Sequence, residues 1–378
     1  MMKNFDELLV PITALHFQEA CQGRTHLHIA AGKGDNKRAL LDWASFNRLL
    51  GQTSIWTAQN LRLMVNGLAV PVADYCDIRP VAGGADFRPS PQKVDVQLTA
   101  GASLVANDLQ TLHPPIAQVS EFLARTFAAQ IGANAYCSFK GVQAFNAHYD
   151  NHDVFAVQTE GEKVWRIYET QIEMPVDLPP DTQETRCWLE QARGPLVSEI
   201  RMRPGDVLYL PRGRFHEAIA DGLPSLHVTF SVTALYGRIL LPLLDNAAMQ
   251  FPLFRAYFPP AAEDGGQALA LHLKRLGALL SDLVSSQAFV DEVAMSQERL
   301  VRRPADFTLP ERKPETRYRV TGLPFPPGAA TAGFAFEWCA ARADFSLEQM
   351  LAEFDFIEEG MLRRAVDDAV AVGALVRM

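Results

Sequence analysis

The stretch Phe145-Asn-Ala-His148-Tyr-Asp150-Asn-His152-Asp153 sets an imidazole and a carboxylate two residues apart. In an extended chain residues i and i+2 face the same side, so His148 and Asp150 converge. The natural third donor is His216. It ends the run Gly205-Asp-Val-Leu-Tyr-Leu210-Pro-Arg-Gly-Arg-Phe-His216, about 65 residues beyond Asp150, enough to cross a barrel and return beside the first pair. Two imidazole nitrogens and one carboxylate, with the opposite positions open, suit a non-haem Fe(II) centre. Taken alone, a His-x-Asp pair is common by chance and is usually a hydrogen-bonded surface or core pair. His152 competes as well, since strict alternation puts it on the same face. Asn151 and Asp153 interrupt the strand there, which ranks His152 lower and suggests a supporting or substrate role.

These groups need a scaffold, and from Asn134 to about Ser231 the chain reads as short strands punctuated by turns. The candidates are Ala135–Phe139, Val154–Gln158, Val164–Tyr168, Val207–Leu210 and Leu226–Val232, a pattern that points to a sandwich or barrel. Met174 to Gly194, rich in Pro and acidic residues, reads as a long excursion between strands of the kind that serves as a lid or substrate contact. Upstream, Leu40–Leu50 and the segment after Pro114-Pro115 have helical periodicity, and Asn66-Gly67 signals a hairpin. Downstream, Ala268–Ser286 carries Leu and Ala at helical spacing, as a core helix or an association helix would. Arg302–Pro326 reads as a linker with one strand. Ser346–Met378 reads as helix, helix, strand, resembling a degenerate winged helix.

The composition is that of an ordinary globular protein, and the net charge of −9 argues against generic polyanion binding. Direct nucleic-acid binding is therefore not expected. The five cysteines (Cys21, Cys76, Cys137, Cys187, Cys339) form no CxxC pair, so the expectation is reduced thiols in a cytoplasmic protein. The acidic start does not fit a secretory signal, and the longest apolar run, near Ile239–Leu244, is too short to cross a bilayer.

The residues then meet a known pattern. Asn134-Ala-Tyr136, His148-Tyr-Asp150, Val154-Phe-Ala-Val-Gln-Thr-Glu-Gly-Glu-Lys163-Val-Trp165-Arg166, Leu208-Tyr-Leu-Pro-Arg-Gly-Arg-Phe-His216 and Ser225-Leu-His227-Val-Thr-Phe-Ser231 resemble the JmjC-type cupin oxygenases. Within these they look most like the ribosomal oxygenase branch, which hydroxylates Arg or His side chains of ribosomal proteins. The resemblance is clear over residues 100–235. It implies a mainly β fold with α: a double-stranded β-helix (cupin or jelly-roll) barrel in residues 1–235, a helical dimerisation segment in 236–300, and a linker with a small winged-helix-like module in 301–378. It also implies iron held by His148, Asp150 and His216, with 2-oxoglutarate and O2 as the other reactants. Lys163 matches the basic residue that pairs with the far carboxylate of 2-oxoglutarate, and Asn134, Tyr136, His227 and Ser231 match polar positions around that cosubstrate. A homodimer acting on a protein or peptide follows from the same likeness.

Two departures stand out. Lys140-Gly-Val-Gln-Ala-Phe-Asn-Ala is poorer in Gly and Pro than is usual before the first histidine, which bears on substrate identity and not on iron. The C-terminal module has no obvious basic face. Lys163, read without the resemblance, is expected to face solvent between Glu160 and Glu162, and Asn134 or Tyr136 could be ordinary core polar groups. The other functions to weigh are hydroxylation of a small metabolite or biosynthetic peptide, N-methyl-lysine demethylation, and a non-catalytic metal-cupin binding protein.

Overall fold

Alternating residues of one strand explain the core. Along Asp153–Gly161, Phe155 and Val157 point into one apolar cluster while Val154 and Ala156 point into another. A strand buried on both faces reads as a continuous apolar run, and this one does. In the computed structural model, which describes residues 2–32, 36–65, 67–81, 84–139, 143–220, 224–301, 315–327 and 330–378, this strand lies inside an eight-stranded sheet. The order of that sheet is Leu27–Ile29, Val207–Leu210, Asp153–Gly161, Ser225–Ala234, Ala129–Ser138, Ser103–Ala106, Leu61–Val65 and Leu68–Ala69. A second sheet runs Leu196–Met202, Lys163–Gln171, Arg214–Ile219 and Gln143–His148.

From Gln143 the chain passes back and forth between sheets, entering the small one at 143–148, then at 163–171 followed by 196–202, then at 214–219, and the large one at 153–161, 207–210 and 225–234. That winding makes a cupin-type barrel. Trp165, Ile167, Leu208, Leu210 and Met202 fill the space between the sheets beside Val154 and Ala156. The outer face of the large sheet is covered by the helix Pro114–Phe127 and the N-terminal helices, where Phe5, Phe17, Phe127 and Tyr209 surround Phe155 with ring centroids 5.0–5.9 Å from its own. Each such buried side chain contributes about 1.5–3 kcal/mol.

The strands expected from the sequence are present, most of them longer than expected. One expectation changes: the excursion after Met174 contains a helix, Gln183–Ala192, whose N-cap Thr182 accepts from the Thr185 amide. Its Leu189 and Ala192 pack on Tyr149, Tyr168 and Phe215, which outweighs the polar composition. The hairpin near Asn66 is there as strands Leu61–Val65 and Leu68–Ala69, although Asn66 itself lies outside the described residues, as do residues 140–142 and 302–314.

The chain divides into two compact units, residues 1–304 and 305–378. The first includes the helices Leu240–Ala248, Gln267–Val284 and Gln287–Leu300. The second has a three-stranded sheet (Asp344–Ser346, Arg317–Val320, Leu375–Arg377) and the helices Ala330–Ala340, Leu347–Glu353 and Glu359–Ala371. Ser346 and Gln349 form a capping box at the start of one of these helices, and Leu362, Val366 and Ala369 fill the core.

Candidate metal and dicarboxylate site

His148 ends one strand of the small sheet, and His216 lies directly opposite it on the next. Their ring centroids are 4.5 Å apart. Asp150 lies just past the strand end, so it is the turn of the chain, and not strict alternation, that brings its carboxylate to 3.6 Å from His216 Nε2. Donor atoms of the three side chains lie within 4.8 Å of one another, a spacing that can hold a metal ion.

Both imidazoles are set in one tautomer. His148 Nδ1 donates to the Asn146 carbonyl at 2.8 Å, and His216 Nδ1 donates to the Arg214 carbonyl at 2.9 Å. With Nδ1 donating, each ring directs Nε2 toward the cluster, the atom that a metal would take. Burial, reinforced by His148, pulls His216 down to about 4, so it is neutral at physiological pH. Asp150 is pushed up by burial, but the three neighbouring histidines outweigh this and hold it below the usual carboxylate range.

The backbone around the cluster is fixed from several sides. Gly213 has a φ of +81° and donates its amide to the Asp150 carbonyl, while a Cβ there would collide with the carbonyl of Ile172. Asp153 accepts from Tyr209 Oη and from the Arg212 amide, both at 2.9 Å, tying the turn before His216 to the strand after Asp150. Trp165 stacks on His216 at 5.8 Å. His152 is half-buried and lies outside the three-residue cluster, with its Nδ1 near the Asp153 carbonyl.

Lys163 is the second feature. Gly161, at φ +62°, makes the sharp entry into its strand. The lysine is 1% exposed and points inward, not to solvent between Glu160 and Glu162. Its Nζ donates to Ser138 Oγ at 3.1 Å, and among the described residues no carboxylate lies within ion-pair distance. Burial pulls it down to about 8. A sealed ammonium with one hydroxyl acceptor is costly until an anion joins it.

Between these two ends, Tyr136 and His227 lie opposite each other on paired strands and stack at 5.0 Å. Burial and the Lys163 charge hold His227 well below the usual imidazole range, and its Nδ1 is buried with no hydrogen-bond partner among the described residues. The Tyr136 hydroxyl bonds the side chains of Asn134 and Thr229. Asn134 also accepts from the Asp108 amide at 3.3 Å. Ser231 shares the strand with His227, and its hydroxyl donates to the Gly132 carbonyl at 3.2 Å. Sequence reasoning missed Ser138, Thr229 and Asp153. Alternation would have found the first two, since Ser138 follows Asn134 and Tyr136 at i+2 spacing and Thr229 stands between His227 and Ser231.

A cleft of about 470 Å³ opens at the loop after Asp150, and none of His148, Asp150, His216 or Lys163 lines it. Asn151, His152, Met174, Arg212, Tyr236 and Arg238 line it.

Residues 108–239 match the JmjC domain family. Over 259 residues the chain is 27% identical to the bifunctional lysine-specific demethylase and histidyl-hydroxylase NO66 of Dictyostelium discoideum, covering 67% of this chain and 48% of that protein. Over 252 residues it is 27% identical to human ribosomal oxygenase 1, covering 65% and 37%. The chain thus spans less than half the length of these curated relatives. The Escherichia coli ribosomal oxygenase YcfD, solved in complex with cobalt and 2-oxoglutarate, superposes with a TM-score of 0.51 at 17% identity, covering 97% of this chain and 98% of that one. At that identity the likeness shows the fold. Residues 108–239 thus match the JmjC domain family, and the chain as a whole is similar in sequence to ribosomal oxygenases and shares the fold of YcfD.

Proposed function

We propose that this protein is an Fe(II)- and 2-oxoglutarate-dependent dioxygenase that hydroxylates a protein or peptide side chain. The observation that carries the reading is the cluster of His148, Asp150 and His216 in the same barrel as a buried lysine that has no carboxylate partner among the described residues. The donor set fits iron, because two imidazole nitrogens and one carboxylate leave coordination positions for other ligands. The far end fits a dicarboxylate, because Lys163 retains protons to donate and His227 Nδ1 has none of its hydrogen bonds made.

When bound, iron, 2-oxoglutarate and O2 supply the oxidising chemistry that places a hydroxyl group on a C–H bond. The chain does the rest. Carbonyl-locked His148 and His216 present their Nε2 atoms, Asp150 offsets part of the metal charge, and Lys163 orients the cosubstrate along the barrel. Trp165, Tyr136 and His227 keep water from the interior. The cleft lined by Met174, Arg212 and Tyr236 is the seat for the acceptor segment, and an Arg or His residue of a ribosomal protein is the acceptor favoured by the likeness to the ribosomal oxygenases.

The same proposal includes a homodimer, a cytoplasmic location and a winged-helix-like C-terminal module. The 18-residue helix Gln267–Val284 has no buried residue, and Leu241, Tyr257, Phe258, Leu271 and Leu273 are exposed nearby in sequence, as a covered interface would leave them in a single chain. No helix among the described residues is long and apolar enough to cross a membrane.

The test is succinate release dependent on added Fe(II) and 2-oxoglutarate, with mass spectrometry of ribosomal-protein peptides for a gain of one oxygen. Loss of release in His216→Ala is expected; full turnover in that variant would overturn the reading. Oxygen gained only on a small metabolite would move the substrate to the second reading, and formaldehyde from methyl-lysine peptides would mark demethylation.

A further inference from the structure

We infer that Ser138, backed by Ser103, is a positioning residue that aims the Lys163 ammonium and so sets how tightly the barrel holds its dicarboxylate. The inference rests on the function proposed above.

The three side chains form a chain sealed from solvent: Lys163 is 1% exposed and both serines are 0% exposed. Lys163 Nζ lies 3.1 Å from Ser138 Oγ, and the two serine oxygens lie 2.8 Å apart. An ammonium only donates, so Ser138 Oγ must accept from it. Ser138 Oγ keeps a second lone pair and its own proton, and either can serve the bond to Ser103 Oγ, which holds the hydroxyl in place. One ammonium proton is committed to the barrel wall and two remain for a carboxylate. A lysine side chain has four rotatable bonds, and a fixed acceptor at its tip selects one rotamer before any ligand arrives.

The serines stand where apolar residues would otherwise fit. Leu104 and Cys137 are register partners on neighbouring strands, and Ser103 and Ser138 adjoin them at the same end of that pairing. Ala102, Leu104 and Cys137 are all buried there. Two hydroxyls in such a place need a polar reason, and the cation supplies it.

The experiment measures 2-oxoglutarate affinity by calorimetry on Mn(II)-loaded protein, so that binding is read without turnover. Ser138→Ala is expected to weaken it about tenfold and Ser103→Ala about threefold, with Mn(II) content unchanged. The pH dependence separates aiming a charge from mere packing. Burial holds Lys163 at about 8, and the titratable neighbours are Cys137, pushed up to about 12, and His227, kept neutral. Affinity therefore falls above pH 8, and losing an acceptor for the ammonium moves that fall about one pH unit lower in Ser138→Ala. A packing defect would lower affinity equally at every pH. Wild-type-like affinity in Ser138→Ala, or an unmoved pH limb, overturns the inference provided Lys163→Met abolishes binding. If Lys163→Met also binds normally, the proposed cosubstrate site itself is wrong. Should Ser138→Ala fail to fold, the same limb measured in Ser103→Ala decides the matter.

Discussion

Replacing Lys163 by methionine should make the unliganded protein more stable while removing its affinity for a dicarboxylate. Burial lowers the lysine from 10.5 to about 8. Each pKa unit corresponds to about 1.4 kcal/mol, so the sealed ammonium costs the folded state ~3 kcal/mol at neutral pH. Methionine keeps most of the volume and loses one hydrogen bond to Ser138, worth about 1 kcal/mol, which leaves a net gain of ~2 kcal/mol. The pH dependence carries the sign. Below pH 8 the lysine is charged in both the folded and the unfolded chain, and the penalty is complete. Between pH 8 and 10.5 the folded protein sheds the proton first, so the unfolded chain binds more protons and stability rises with pH. Above 10.5 the penalty has gone. Urea unfolding of both proteins from pH 7 to 10.5 tests this, because other lysines, tyrosines and cysteines cancel in the difference. The stability gap should shrink toward zero or reverse by pH 10.5. A variant less stable than wild type at pH 7, or a gap that does not change with pH, would refute the account of Lys163 as an uncompensated buried charge.

Four other outcomes are expected. His148→Ala and Asp150→Ala should each weaken Mn(II) binding about a hundredfold or more, read by equilibrium dialysis, with the secondary structure unchanged by circular dichroism. Gly213→Ala places a side chain at φ +81° against the Ile172 carbonyl, and should cost about 2 kcal/mol or more of stability and loosen metal binding together. Asp206→Asn should destabilise by roughly 2 kcal/mol, since the carboxylate accepts from the Ala31 and Arg203 amides and from His28. Those bonds hold Asp206 below the usual carboxylate range, so the stability that they give is present above about pH 4 and is lost in wild type as pH falls through the folded value. Leu271→Glu with Leu273→Glu should turn a dimer into a monomer in sedimentation velocity, and an unchanged sedimentation coefficient would remove that helix from the interface.

The barrel was legible because a strand of fixed period reveals its two faces: Val154–Gln158 and Val207–Leu210 read as buried strands and are buried strands. His148 and His216 were legible because they are polar residues in strands, His148 at the end of one and His216 within the other. Their pairing across one ladder was not, because register is set by turns such as Gly213, whose constraint is the Ile172 carbonyl some forty residues away in sequence. The inward course of Lys163 was equally hidden. Its flanking Glu160 and Glu162 suggest a solvated stretch, whereas Glu162 turns out to Arg201 and Arg203 while the lysine goes in. The helix Gln183–Ala192 escaped for a third reason, since its stabilising contacts with Tyr149 and Phe215 are tertiary and leave no local trace.

The charges of the site explain why both ends are needed. Asp150 is ionised and His216 is neutral, so the cluster offers a divalent ion one compensating charge and leaves one positive charge over. Lys163 adds a second positive charge. A dianion with its carboxylates at opposite ends cancels both, whereas a monocarboxylate leaves one buried charge bare, at a cost of several kcal/mol. On the proposed function, selectivity for a dicarboxylate over a simple carboxylate would come from the barrel interior having no other acidic partner for Lys163 among the described residues. An acidic side chain beside Lys163 would stabilise the empty protein and would remove the uncompensated charge on which the proposed dicarboxylate binding depends.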